Sequence, residues 1–137
     1  MKIGFTCSAF DLLHAGHIIM LEDCKSVCDY LIVGIQSNPN LDRDYKNQPV
    51  QSLTERILQI DAVKYVDEIF IYHTEKDLHK WLNENIHNID IRILGSDWKN
   101  KKYTGYELDI PIYFHERNHN YSSTELIERI KNKFNQT

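Results

Sequence analysis

The chain is 137 residues long, 42% hydrophobic and 26% charged, with five glycines and three prolines, a composition that supports one folded core and excludes a disordered polymer. Sixteen Lys plus Arg against twenty Asp plus Glu give a formal net charge of −4, so no basic field grips a nucleic-acid backbone and nucleic acid is not expected as a partner. Apolar runs such as Tyr30 to Val33 fall far short of the roughly 20 residues of a membrane helix. MKIGFTCSAF lacks the charged-then-apolar layout of a signal peptide, so no membrane association and a cytoplasmic location are expected.

In chain order, Lys2 to Thr6 reads as a short buried strand. SAFDLLHAGH brings a turn, and apolar residues at Ile18, Ile19 and Leu21 predict a helix from near Ala15 to about Val27. Cys24 and Cys28 would share a face of that helix; no second pair or nearby His completes a tetrahedral zinc set, so they read as buried thiols. DYLIVGIQS is an inner strand, and residues 38–51 form a polar, irregular loop carrying Arg43 and Lys46. Ser52 or Thr54 caps a second helix, whose Leu53, Ile57, Leu58, Ile60, Ala62 and Val63 are read as one buried face.

EIFIYH is the third strand, Thr74 caps a helix through Trp81 and Leu82, and IDIRILG is a fourth strand ending at Gly95. IPIYFHE supplies the fifth strand, and Ser122 or Ser123 caps a last helix ending near Lys133. Regular alternation of this size predicts an α/β fold: a Rossmann-like, doubly wound five-stranded parallel sheet formed by residues 1–137 as a single domain. Ligands of such sheets bind beyond the carboxyl ends of the strands, which directs attention to Cys7–His17, Gln36–Pro49, Gly95–Lys102 and Glu116–Thr124.

The first of these segments carries the chemistry. HAGH sets His14 and His17 three positions apart where a helix begins, and free backbone N–H groups with the positive dipole end favour an anion there. Gly16 would admit a phosphate close to the backbone, and the small Ser8 and Ala9 would let a nucleotide lie over the strand end beside Phe10 and Asp11. Asp11 either orients a histidine or structures the turn.

FDLLHAGH, TERILQIDAVKYVDEI, GSDW and RNHNYSST follow one another in the order of four blocks of a known family. Across nearly its whole length the chain resembles the HxGH nucleotidyltransferases, closest to the small cytidylyltransferases of the glycerol-3-phosphate type. The resemblance implies transfer of CMP from CTP to a phosphorylated alcohol with release of pyrophosphate. His14, His17, Lys46 and Arg117 are the implied catalytic residues. Ser8, Ala9, Phe10, Asp11, Gly16, Gly95, Asp97, Tyr121, Ser122, Ser123 and Thr124 are the implied nucleotide contacts.

Magnesium bound with the triphosphate and a homodimer are also implied, without a dedicated carboxylate cage for the metal. Adenylyl transfer from ATP to another phosphorylated acceptor, or a non-catalytic nucleotide-binding module, are the alternatives. The chain departs from the pattern at Ala9, Asp44, Asn118, His119 and Asn120. With Asp44 in place of a substrate-binding lysine, Arg43 or Lys76 must meet an anionic acceptor, so the acceptor need not be glycerol 3-phosphate.

Overall fold

In the computed structural model, which describes residues 1–43 and 48–136, strands and helices alternate along the chain. They are β1 (Ile3–Ser8), α1 (Ala15–Ser26), β2 (Tyr30–Gln36), α2 (Leu53–Asp61), β3 (Glu68–Tyr72), α3 (Glu75–Glu84), β4 (Ile91–Gly95), β5 (Ile112–His115) and α4 (Ser123–Asn135). Short 3-10 turns follow β2 at Pro39–Leu41 and β4 at Ser96–Trp98. Each predicted strand and α-helix is present, and the alternatives for the caps resolve to Ser52 and Ser122, whose side chains accept from the N–H groups of Glu55 and Glu125.

The sheet is parallel throughout, in the order β3-β2-β1-β4-β5. The chain winds outward from β1 through β2 to β3, then returns to the other side of β1 for β4 and β5. Where winding reverses, the ladder between β1 and β4 holds only Gly4↔Ile91 and Phe5↔Arg92, while β1 and β2 stay paired as far as Ser8↔Ile35. Beyond Phe5 the two central strands therefore part, and the Thr6 hydroxyl bridges the split by donating to the Ile93 carbonyl at 3.0 Å. A crevice opens at this switch point, on the carboxyl edge of the sheet.

Alternate side chains of β2 enter opposite cores, as strand geometry requires. Leu31, Val33 and Ile35 meet Leu21 and Cys24 of α1 and Ile60 of α2, whereas Ile32 joins Phe5, Tyr72 and the Leu78 and Leu82 side chains of α3. Burying each such aliphatic side chain contributes about 1.5–3 kcal/mol. Cys24 and Cys28 are free thiols, and burial pushes Cys24 up to about 12.

The buried face of α2 differs from the expected one. Leu58 is 67% exposed and Ala62 is also exposed, while Arg56 is buried beside Ile60. The physical reason is angular: at 100° per residue, positions 53, 56, 57 and 60 share a stripe that position 58 leaves. Among the described residues, no helix is long and apolar enough to cross a membrane.

Candidate functional site

The turn between β1 and α1 is held from outside. Asp11 accepts from the backbone N–H groups of Val50 (2.8 Å) and Gln51 (2.9 Å), and Leu12 donates its N–H to the Gln51 side chain. Asp11 thus structures the turn, tying it to the entry of α2. Phe10 and Leu12 on either side have φ of +52°, a left-handed conformation that costs bulky residues about 1–2 kcal/mol each and concentrates where function requires it.

HAGH begins α1 with a reciprocal cap made of imidazoles. His14 Nδ1 accepts from the Gly16 N–H at 3.0 Å, and His17 Nδ1 accepts from the His14 N–H at 3.1 Å. The three-residue spacing is that of a capping box, with rings replacing hydroxyl and carboxylate. Because each Nδ1 is an acceptor, each neutral ring carries its proton on Nε2. The rings lie 3.9 Å apart between centroids, so two Nε2–H donors sit together at the positive end of α1. Gly16 serves this packing, since a Cβ there would stand 2.8 Å from His14 Cε1 and 2.9 Å from His119 Cε1.

Both rings are held neutral. Burial, then repulsion from His14, lowers His17 to about 4; burial, then Arg117 and His119, lowers His14. Since the folded value of His17 lies below the ordinary 6.5, the unfolded chain binds more protons between these values, so stability is full above about pH 6.5 and drains as pH falls toward 4. We expect thermal unfolding to show an acid loss of about 2–3 kcal/mol that His17→Asn, which cannot titrate there, largely abolishes.

The imidazole pair opens into a pocket of about 270 Å³ at the switch point, lined also by Gly16, Gly95, Asp97, Arg117, Tyr121, Ser122 and Ser123. Arg117 donates to the Tyr121 carbonyl, which sets its guanidinium at the entry of α4, and Ser122 caps that helix. A Cβ at Gly95 would meet no atom of the other described residues within 4 Å beyond its chain neighbours, so the end of β4 leaves room that their packing does not use.

Other expected site residues lie elsewhere. Phe10 is 2% exposed in the core, its ring 5.6 Å from that of His17, so it supports the imidazole from behind. Asp11 is spent on the turn, and Thr124 and Lys76 are exposed outside the pocket lining. Lys46 and Asp44 lie outside the described residues. Ser8, Ala9 and Arg43 instead line a second cleft of about 570 Å³ across the split strands, together with Tyr72, Glu75, Arg92, Trp98 and Lys102. Arg43 there pairs with Glu75 at 3.5 Å, and the Thr104 hydroxyl donates to the same carboxylate.

Reading the sequence missed His115 and His119 in the first pocket and Arg92 in the second. Arg92 had a signal: the one charge within the otherwise apolar strand residues IRILG. His119 had only its place within the fourth block.

Fold and pocket together define a Rossmann-like α/β chain with an imidazole pair at the topological switch point. The chain belongs to the cytidylyltransferase-like family, whose model matches residues 5–129. It is 34% identical over 132 residues to the glycerol-3-phosphate cytidylyltransferase of Bacillus subtilis (strain 168), covering 95% of this chain and 98% of that protein. It is also 33% identical over 135 residues to the bifunctional protein HldE of Campylobacter jejuni (serotype O:6, strain 81116), covering 96% of this chain; the chain spans only 28% of that relative's length. Among solved structures, a lipopolysaccharide core biosynthesis protein from Thermoplasma volcanium GSS1 superposes with a TM-score of 0.66 at 26% identity, over 89% of this chain and 99% of that one.

Proposed function

We propose that this chain transfers CMP from CTP to a small phosphorylated alcohol. The observation that carries the reading is the pair of Nε2–H donors fixed at the start of α1 by their own Nδ1 hydrogen bonds. An oxygen of the acceptor's phosphate attacks the α-phosphorus in line, the bond from that phosphorus to the bridging oxygen breaks, and pyrophosphate leaves with the electron pair. The nucleophile is already an anion, so no general base is needed. Catalysis lies in positioning and in stabilising charge on the phosphoryl and bridging oxygens.

In this mechanism His14 and His17 hydrogen-bond the triphosphate where charge develops, and Arg117 with the N–H groups opening α4 holds its far end. Lys46 is assigned to the same phosphates through the family resemblance. Ser8, Ala9, Arg43 and the buried Arg92 receive the acceptor in the second cleft. Mg2+ is the proposed cofactor: among the described residues no cluster of three or more His, Cys, Asp and Glu gathers, and Asp97 supplies a carboxylate at the pocket. Carried by the triphosphate, the ion would supply neutralisation of phosphate charge, with Asp97 the carboxylate at the pocket to help hold it. A homodimer in the cytoplasm completes the proposal, on the resemblance alone.

A thermal-shift screen of CTP, ATP, GTP and UTP with Mg2+ tests the nucleotide, with CTP expected to stabilise by roughly 2.7 kcal/mol at about 100 times its dissociation constant. Pyrophosphate release with CTP and a panel of alcohol phosphates tests the transfer. Silence with every triphosphate defeats it, and ATP-dependent release moves the chain to adenylyl transfer.

A further inference from the structure

His115 ends β5, is 6% exposed, and lines the pocket that contains the imidazole pair. Its Nδ1 lies 2.7 Å from Asp23 Oδ2, and the other oxygen of that carboxylate accepts from the Tyr113 hydroxyl at 3.1 Å. An ionised carboxylate can only accept, so Nδ1 carries the proton and Nε2 of the neutral ring is a bare lone pair. This Nε2 is buried without a hydrogen-bond partner among the described residues. Leaving such a group unsatisfied is unfavourable, and a ligand donating to it would recover the loss.

The tautomer is opposite to that of His14 and His17. They face the pocket with N–H donors suited to phosphate oxygens; His115 offers an acceptor, which a phosphate would repel. Asp23 lies six residues beyond His17, about 9 Å along α1, a separation on the scale of one nucleoside. A phosphate chain anchored at the helix start therefore leaves the base at the β4 and β5 ends, beside the space left open at Gly95.

We propose that His115 is a specificity-determining residue for the nucleobase: its Nε2 accepts a hydrogen bond from an exocyclic amino group, and Asp23 is the positioning residue that fixes the tautomer. This rests on the nucleotidyl-transfer reading. An amino base presents a donor to the lone pair, whereas a keto base presents oxygen and is repelled. The rule separates cytosine from uracil and adenine from hypoxanthine, pairs that differ in that amino group and its tautomer.

The test measures dissociation constants of CTP, UTP, ATP and ITP with Mg2+ for the wild type, His115→Phe and Asp23→Asn. The wild type is expected to favour the amino partner of the pair it binds by roughly 10- to 100-fold, and both variants to bring the two partners within about threefold. The phenylalanine keeps the ring without the lone pair; should it fail to fold, Asp23→Asn carries the test, because the amide no longer compels the proton onto Nδ1. A preference retained in a folded variant, or a wild-type preference for the keto partner, overturns the proposal. Binding of no triphosphate at all overturns the nucleotidyl-transfer reading instead, so the two failures are distinguishable.

Discussion

His17→Ala is expected to lower the rate of nucleotidyl transfer by at least about 10²–10³-fold, the loss typical of removing one preorganised donor from developing oxyanion charge. The substitution removes two things at once: the Nε2–H donor and the Nδ1 acceptor that holds the His14 N–H. Loss of a cap of this kind costs about 0.5–2 kcal/mol of stability, small beside the kinetic effect. Two further variants separate the roles. In His17→Asn the amide oxygen can take the place of Nδ1, so the cap and the fold survive while turnover stays low. In His17→Gln the longer amide can place an N–H near the position of Nε2, so part of the rate returns although the cap is weakened. Rates near normal in a folded His17→Asn protein would remove the imidazole from the chemistry and leave it a helix cap. The measurements are steady-state pyrophosphate release and thermal unfolding of the same preparations.

Order and period explain why so much of the fold was legible. Strands buried on both faces, such as Tyr30–Gln36, read as continuous apolar runs, and the capped helices between them, headed by Ser52 and Thr74, announce their own starts. The switch point followed as a general property of wound sheets, and the HAGH turn falls at its mouth. What the linear sequence did not show was the sharing of polar atoms between segments far apart in it. From sequence, Asp11 fits either a histidine partner or the turn; in the fold its oxygens meet Val50 and Gln51. The family resemblance groups Ser8 and Ala9 with the nucleotide contacts, yet the parting of β1 from β4 places them in the second cleft with Arg43. His115 looked like one of seven scattered histidines until Asp23, 92 positions earlier, fixed which of its nitrogens holds the proton. Ring spacing can be read from sequence; tautomers depend on partners that only the packed fold supplies.

Arg56 shows the same dependence on distant partners and leads to the second large effect, on stability. It is 2% exposed, and its guanidinium donates to four carbonyls: Gln51 at 3.3 Å, Ala9 at 2.9 Å, Gln36 at 2.7 Å, and Ser37. These carbonyls belong to the segment after β1, the end of β2 with the residue that follows it, and the segment before α2, so one side chain gathers the backbone beside the second cleft, which Ala9 and Gln36 line. Burial lowers its pKa, with the Asp11 charge opposing, and the protonated form persists because the planar fork has an acceptor for each direction it points. Arg56→Met keeps the apolar stem but leaves buried carbonyls unpaired, at about 1–3 kcal/mol for each one that water cannot reach. The expected loss is about 3–5 kcal/mol, a large share of the 5–15 kcal/mol that holds a typical domain together. Arg56→Lys should restore little, since one ammonium cannot span carbonyls that a guanidinium reaches from three nitrogens. Urea unfolding of the two variants checks this, with both midpoints falling well below wild type and that of Arg56→Lys close to that of Arg56→Met. An unfolding free energy for either variant within about 0.5 kcal/mol of wild type, the range of an ordinary surface substitution, would show that the loops hold their positions without the arginine.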